Sequence, residues 1–481
     1  MASVEFLCDL SQRGSPLPHC WEHTVGSCHA PLALRADWQG QLKQCHEDLG
    51  FRYVRFHGLL SDDVGTLIRH QGTLLDSFLN ADRIVDFLLS IGMKPFVELS
   101  FMPQALASGR TTVFKYRGNV TPPRDYRQWA AFITRLVAHW VDRYGVREVG
   151  HWFFEVWNEP NLKAFWTGSQ EDYFNLYRAA ADAIKRVNPS LRVGGPATAR
   201  DGWIDEFIDF CETADVAADF VSTHHYPTDA LWNDAADTET QLAGSHRSIL
   251  RQWTQDTRRR ARGRPLYYTE WNTSSNPRDP LHDEPYAAAF VVKTLMEVSG
   301  LVDAYSFWTF SDIFEENYFP SVPFHGGFGL MTLHGVPKPT YRAFELLHHL
   351  GHERLLVDGL HHTVDGWVVR RNRDVRDVTI LLTNHALPRH AIDAERVRVT
   401  LVGAAAPQQA FVERIDVNHA NPKRAWCAAG SPESVDSSLL EQLHASSRVL
   451  REPVRCEYAD GTVRFEMTVP PHAVAAVTLG F

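Results

Sequence analysis

His151-Trp-Phe-Phe-Glu-Val-Trp-Asn-Glu-Pro-Asn161 decides how the rest of the chain is read. It opens as an apolar run of strand length and closes on Asn158-Glu159-Pro160. Pro160 has no N–H to give a sheet ladder, and it is expected to push Glu159 toward extended geometry. A carboxylate is thereby delivered where a strand leaves its sheet. Pro265-Leu-Tyr-Tyr-Thr-Glu-Trp-Asn-Thr273 has the same form, with Glu270 closing a second apolar run. A lone Glu in such a place ordinarily caps a helix or pairs with an arginine. Two of them, each flanked by Trp and Asn, suit a pair of carboxylates working on one bond.

Outward from these stretches, apolar segments recur at Thr24–His29, Phe51–His57, Pro95–Phe101, His151–Glu159, Arg192–Pro196, Phe220–Tyr226, Leu266–Glu270 and Ala304–Phe310. Helical patterns lie between most of them: Arg83–Gly92 with a glycine stop, Tyr126–Tyr144, Tyr173–Val187 ended by Asn188-Pro189, and Tyr286–Val298. Eight strands alternating with helices predict an α/β fold, a (β/α)8 barrel over residues 24–350 closed by a helix at Pro339–Leu350. Three strand–helix units fit between Glu159 and Glu270, which puts them on strands four and seven, opening onto one face. An open doubly wound sheet finds no support, because no Gly-x-Gly-x-x-Gly follows a strand. After residue 350 the pattern turns to period-two runs at Gly366–Arg370, Val378–Thr383, Val397–Val402, Phe411–Ile415, Val463–Val469 and Ala473–Leu479. These predict a β-sandwich over 351–481, interrupted by a helix within Ser431–Arg448 whose cap is expected in Ser-Pro-Glu-Ser.

At 481 residues the chain exceeds what one core fills, which fits a large and a small unit. A formal net charge of −10 and a pI near 6.2 argue against nucleic-acid and anionic-membrane partners. No apolar run approaches the ~20 residues of a membrane span. The N-terminus lacks a basic region followed by a long apolar core, so a cytoplasmic location is expected. Seven scattered cysteines without a Cys-x-x-Cys agree with reduced thiols.

A two-carboxylate glycosidase needs more than its carboxylates: a donor to the sugar 2-hydroxyl, a partner for the nucleophile and an aromatic wall. Asn158 can supply the first. Thr223-His-His-Tyr-Pro227 puts His224 and Tyr226 on one face and His225 on the other, so the Tyr226 hydroxyl can reach the nucleophile. His-His is by itself a weak metal signal without further ligands at recognisable spacing, and neither metal nor cofactor is expected. His57 ends the second strand, facing substrate or core. Trp308 is either the platform under a sugar ring or a core residue. Glu315-Glu316 reads first as a surface acidic pair and second as an acceptor for sugar hydroxyls. Loops at Phe101–Pro123 and Ser311–Phe328 are long enough to close one end of a cleft.

Trp157-Asn-Glu-Pro-Asn161, Thr269-Glu-Trp-Asn272, Val54-Arg-Phe-His-Gly58, His224-His-Tyr226 and Phe307-Trp-Thr-Phe-Ser-Asp312 together resemble glycoside hydrolase family thirty-nine, with support from Gly118–Pro123 and Phe324–Leu330. The resemblance implies a retaining enzyme with Glu159 as acid/base and Glu270 as nucleophile. It further implies His57, Asn158, His224, Tyr226, Trp308 and Glu316 as sugar contacts, and N-terminal residues that return to join the sandwich. Where the resembled family places a tyrosine after the nucleophile, this chain reads Ser274-Ser275-Asn276. An exo-β-xylosidase acting on xylo-oligosaccharides is the expected activity. α-L-Iduronidase is the alternative, disfavoured because a uronate calls for a cationic clamp, and only Arg278 follows Glu270 closely. β-Glucosidase or α-L-arabinosidase activity, a silent sugar-binding barrel and a metal-dependent hydrolase are the remaining readings.

Overall fold

The computed structural model describes residues 3–230, 236–316, 322–370 and 377–481. Residues 317–321 of the expected Ser311–Phe328 loop lie outside the described residues. Eight parallel strands close into a barrel in chain order: Thr24–His29, Tyr53–His57, Lys94–Glu98, Phe153–Glu155, Arg192–Thr198, Phe220–His224, Leu266–Trp271 and Ala304–Phe307. Helices pack outside it. Tyr126–Tyr144 buries Trp129, Phe132, Ile133, Leu136, Val137 and Trp140, a stripe at three- and four-residue spacing, and Asp125 caps its first turn by accepting from Arg127 N–H. Gln170–Val187 begins three residues earlier than its apolar pattern, because Ser169 and Asp172 form a reciprocal capping box.

Strand residues alternate between helices and barrel interior, and the interior is layered. Phe153 pairs in register with Phe96, and Glu155 with Glu98. The floor is aromatic: Phe96 stacks on Phe153 at 4.9 Å, with Phe220 and Tyr267 completing the plug. One pleat higher, the inward residues Arg55, Glu98, Glu155 and Thr269 are polar and buried. Gly26 on the first strand admits the Trp308 ring, since a Cβ there would stand 2.5 Å from Trp308 Cε3.

Besides two short two-stranded ribbons, Leu67–His70 with Thr73–Asp76 and Thr112–Val113 with Gly118–Asn119, the remaining strands among the described residues form two larger sheets. One contains Val364–Arg370, Val378–Asn384, Ala473–Gly480 and Gln409–Ile415; the other is built on Glu395–Val402 and Thr462–Val469. Into the second sheet the N-terminal strand Val4–Asp9 inserts parallel to Glu395–Val402, with Val4 opposite Val397. Ser15–Pro16 pairs with Glu353–Leu355 in the first. The helix expected within Ser431–Arg448 runs Ser437–Ser446, and its cap is Asp436, which accepts from Leu439 N–H. The Ser431 segment is not the cap.

Candidate active site

The fourth strand stops at Glu155, four residues before Glu159. Glu159 is not extended as Pro160 suggested: its φ is +45°, in the left-handed region, and Trp157 is at +75°. Tertiary hydrogen bonds override the local preference. Glu159 N–H donates to Ala197 O at 2.8 Å, and the Asn161 side chain bridges the N–H and carbonyl of Ala199 at 2.9 and 2.8 Å. The turn swings the Glu159 carboxyl inward over the barrel.

Glu270 arrives from the seventh strand, and Glu159, Glu270 and His224 each bring one oxygen or nitrogen to within 4.8 Å of the other two. Both oxygens of Glu270 face donors: Arg55 Nη1 at 2.8 Å and the Tyr226 hydroxyl at 3.1 Å. Glu159 Oε1 lies 3.0 Å from His224 Nδ1. Burial pushes the Glu159 carboxyl up to about 7, with the nearby His57, Arg55 and Arg200 pulling the other way. Desolvation, and not the charge of the neighbouring Glu270, is the main cause of this upward push.

Beneath the pair sits Arg55, fully buried on the second strand, a residue that sequence reasoning passed over inside Val54-Arg-Phe-His57. Its guanidinium reaches Glu155 at 2.5 Å, Glu98 at 2.8 Å, Glu270 at 2.8 Å and Asn158 Oδ1 at 3.0 Å. Burial disfavours its charge, but Glu155, Glu98 and Glu270 more than restore it and hold its pKa above the usual arginine value. With its carbonyl oxygen occupied, Asn158 is left with its amide N–H groups to donate to a sugar hydroxyl.

The other expected contacts gather on the same cavity of about 270 Å³, which His57, Asn158, Glu159, Tyr226, Glu270, Trp308 and Glu316 line. His57 Nδ1 bonds Glu98 at 2.7 Å, and its Nε2 stands 3.6 Å from both Glu270 and Glu316. Against the effect of burial, Glu98 lifts His57 to about 9. Trp308 is 3% exposed and packs 4.7 Å from the His57 ring, so it is both wall and core. The Glu315-Glu316 pair divides. Glu315 accepts from His29 at 2.7 Å, while Glu316 is buried, its Oε1 without a hydrogen bond among the described residues, and its pKa is raised by burial to about 8.

His225 points to the outer side, against Asp201 at 3.1 Å and the Tyr305 hydroxyl. His224 lines up with Glu159 instead of standing free in the cavity, since it is fully buried between Glu159 and Thr269. Aromatic walls that sequence reasoning did not name come from Phe114, Phe165 and Phe328, and of Ser274-Ser275-Asn276 it is Ser275 that lines the cavity. Arg200 also lines the cavity, on the loop after the fifth strand, and pairs with Asp229 at 3.2 Å. No helix among the described residues is long and apolar enough to cross a membrane.

Residues 5–464 match the family model for glycosyl hydrolases family 39. The chain is 49% identical over 465 residues to a β-xylosidase of Caldicellulosiruptor saccharolyticus, covering 95% of each chain. It is 38% identical to a β-xylosidase of Geobacillus stearothermophilus, covering 95% of this chain and 92% of the relative. A monomeric β-xylosidase from Caulobacter crescentus CB15 superposes with a TM-score of 0.86 at 33% identity, over 99% of both chains.

Proposed function

Since the chain belongs to glycosyl hydrolase family 39, we propose that it is a retaining exo-β-xylosidase that releases xylose from non-reducing ends of xylo-oligosaccharides. The catalytic unit is residues 24–350, and 351–481 is accessory. The observation that carries the reading is the carboxyl spacing. Oxygens of Glu159 and Glu270 lie within 4.8 Å, close to the ~5–5.5 Å of retaining enzymes and short of the ~6.5–9.5 Å that leaves room for a water in inverting ones.

Glu270 attacks the anomeric carbon while Glu159 gives its proton to the departing glycosidic oxygen. A covalent xylosyl ester of Glu270 results. Glu159, now ionised, takes a proton from the incoming water, whose oxygen bonds the anomeric carbon as the ester bond breaks. Arg55 and Tyr226 orient Glu270 throughout. Asn158, His57 and Glu316 offer polar groups to the hydroxyls, and Trp308 supports the ring. A uronate would need a cation of its own, whereas Arg200 is matched by Asp229, so xylose suits the cavity better than iduronate. Seven unpaired cysteines accord with a reducing compartment.

Proton NMR of the first turnover of aryl β-xyloside tests the reading: β-xylose should appear before mutarotation, and α-xylose as first product refutes it. Xylobiose should yield xylose without loss of viscosity in a xylan solution. Because Glu159, His224 and Glu270 are also spaced to hold a cation, the assay is repeated in EDTA, where full activity is expected and its loss would favour a metal-dependent reaction.

A further inference from the structure

Thr269 and Glu155 lie beneath the cavity, where no sugar reaches them. Thr269 Oγ1 is 2.8 Å from Glu155 Oε1 and 3.0 Å from His224 Nε2. Glu155 faces the Arg55 guanidinium at 2.5 Å, a group that does not give up its proton, so the glutamate accepts there. A threonine hydroxyl has one hydrogen, and Glu155 takes it. What Oγ1 then offers His224 is a lone pair, which only an Nε2–H satisfies. A neutral imidazole protonated on Nε2 is bare on Nδ1, and Nδ1 sits 3.0 Å from Glu159 Oε1. Two lone pairs cannot share that distance, so the hydrogen between them belongs to Glu159.

We propose that Glu155 and Thr269 are positioning residues that lock His224 in its Nε2–H tautomer, so that His224 Nδ1 accepts, and thereby holds, the acid proton of Glu159. This rests on the assignment of Glu159 as acid/base. Burial agrees with a neutral imidazole, pulling His224 down to about 4. Other groups act on the same proton. Glu270 on the seventh strand and Glu155 on the fourth favour a charged His224, whereas Arg55 and His57 on the second oppose it. Around Glu159 itself, His57, Arg55 and Arg200 favour ionisation and Glu98 on the third strand opposes it. Of these only Glu270 singles out a nitrogen, its Oε2 standing 3.7 Å from Nδ1, beyond hydrogen-bond reach; the threonine hydroxyl at 3.0 Å from Nε2 makes the hydrogen bond that decides the tautomer. The lock works in both chemical steps. When Glu159 has lost its proton to the leaving group, its oxygen faces a bare nitrogen, and that repulsion favours regaining a proton from the attacking water.

Thr269→Val keeps the shape and removes the hydroxyl; Thr269→Ser keeps the hydroxyl. With the lock gone, His224 can turn an Nδ1–H toward Glu159 and stabilise its ionised form. The alkaline limb of kcat/KM for an unactivated xyloside should then move down by about one pH unit in Thr269→Val and stay in place in Thr269→Ser. At pH 5 dinitrophenyl xyloside, which leaves without protonation, should be turned over within about threefold of the parent rate by both. Nitrogen-15 NMR of histidine-labelled wild-type protein should show His224 protonated on Nε2 and bare on Nδ1, a readout that holds even if the valine variant misfolds. An unmoved alkaline limb in a folded Thr269→Val, or an Nδ1–H in the wild type, overturns the proposal. If Glu159→Ala retains its response to leaving-group acidity in either case, only the lock fails; if that response is missing, the acid/base assignment fails with it.

Discussion

Glu159→Ala offers the deepest test of the site, because the proposed acid/base role requires Glu159 to do two opposite jobs. A carboxyl with the ordinary value of 4.5 would be protonated in about one molecule in three hundred at pH 7, whereas one at about 7 is protonated in about half, a gain of roughly 150-fold in competent acid. Glycosylation needs the protonated form, so kcat/KM for xylobiose should fall as pH rises through about 7, and Glu159→Ala should remove that limb. Its loss of rate should be on the order of 10²–10⁴ for xylobiose and slight in the first step for dinitrophenyl xyloside. With no base left for the second step, the xylosyl ester should accumulate behind a burst of phenol, and azide should relieve it and give the β-configured azide. Stopped-flow absorbance reads the phenol burst, a xylose assay across pH 5–9 reads xylobiose, and NMR reads the azide. Equal slowing of both substrates without a burst would refute the assignment.

The same shift makes a claim about stability. Because the folded-state pKa of Glu159 is raised, its contribution to stability is fully present below 4.5 and is lost as pH rises to about 7. The 8%-exposed residue leaves little room for solvent screening, so the loss amounts to about 3 kcal/mol. Glu159→Gln, always neutral and able to donate to His224, should melt with the wild type at pH 4.5 and above it at pH 8. Glu270→Ala should abolish turnover for every leaving group, and azide should return an α-configured product; a variant retaining more than about a tenth of the rate excludes the nucleophile role. Arg55→Met should lower stability by about 3–5 kcal/mol in chemical denaturation, since Glu155 would be left buried without its cation and Glu98 with His57 alone. Unchanged stability there would mean water replaces the guanidinium.

Much of the barrel was legible because its strands are short apolar runs between helices with clear stripes and stops. Thr24–His29 and Tyr126–Tyr144 fall where the pattern put them. What pattern could not carry was long-range hydrogen bonding. The left-handed turn at Glu159 is imposed by Ala197 and Ala199, about forty residues away, against the local bias of Pro160. Arg55 escaped notice for a related reason: an arginine inside an apolar strand reads as a surface residue until closure surrounds it with carboxylates. A faint signal was there, since Arg55 and His57 share one face of a strand otherwise buried. Glu316 reads as a surface acid because nothing in Glu315-Glu316 shows that His29 holds the first and frees the second.

The N-terminal strand carries a consequence for how the molecule is made. Val4–Asp9 finds its partner in Glu395–Val402, and Glu5 meets Arg398 across 393 residues of chain. A ribosome adding about 5–20 residues each second takes roughly 20–80 s to cover that distance. The barrel strands emerge in that interval and can close among themselves, while Val4, Phe6 and Cys8 stay in solvent with no sheet to enter. Thermodynamically the long separation matters little, since closure entropy grows by only about 0.6 kcal/mol per doubling of the loop. Kinetically it leaves this early strand waiting until the whole barrel has been made. An N-terminal fusion that slows its capture should therefore trap a chain with a finished barrel and an open, adhesive sheet edge.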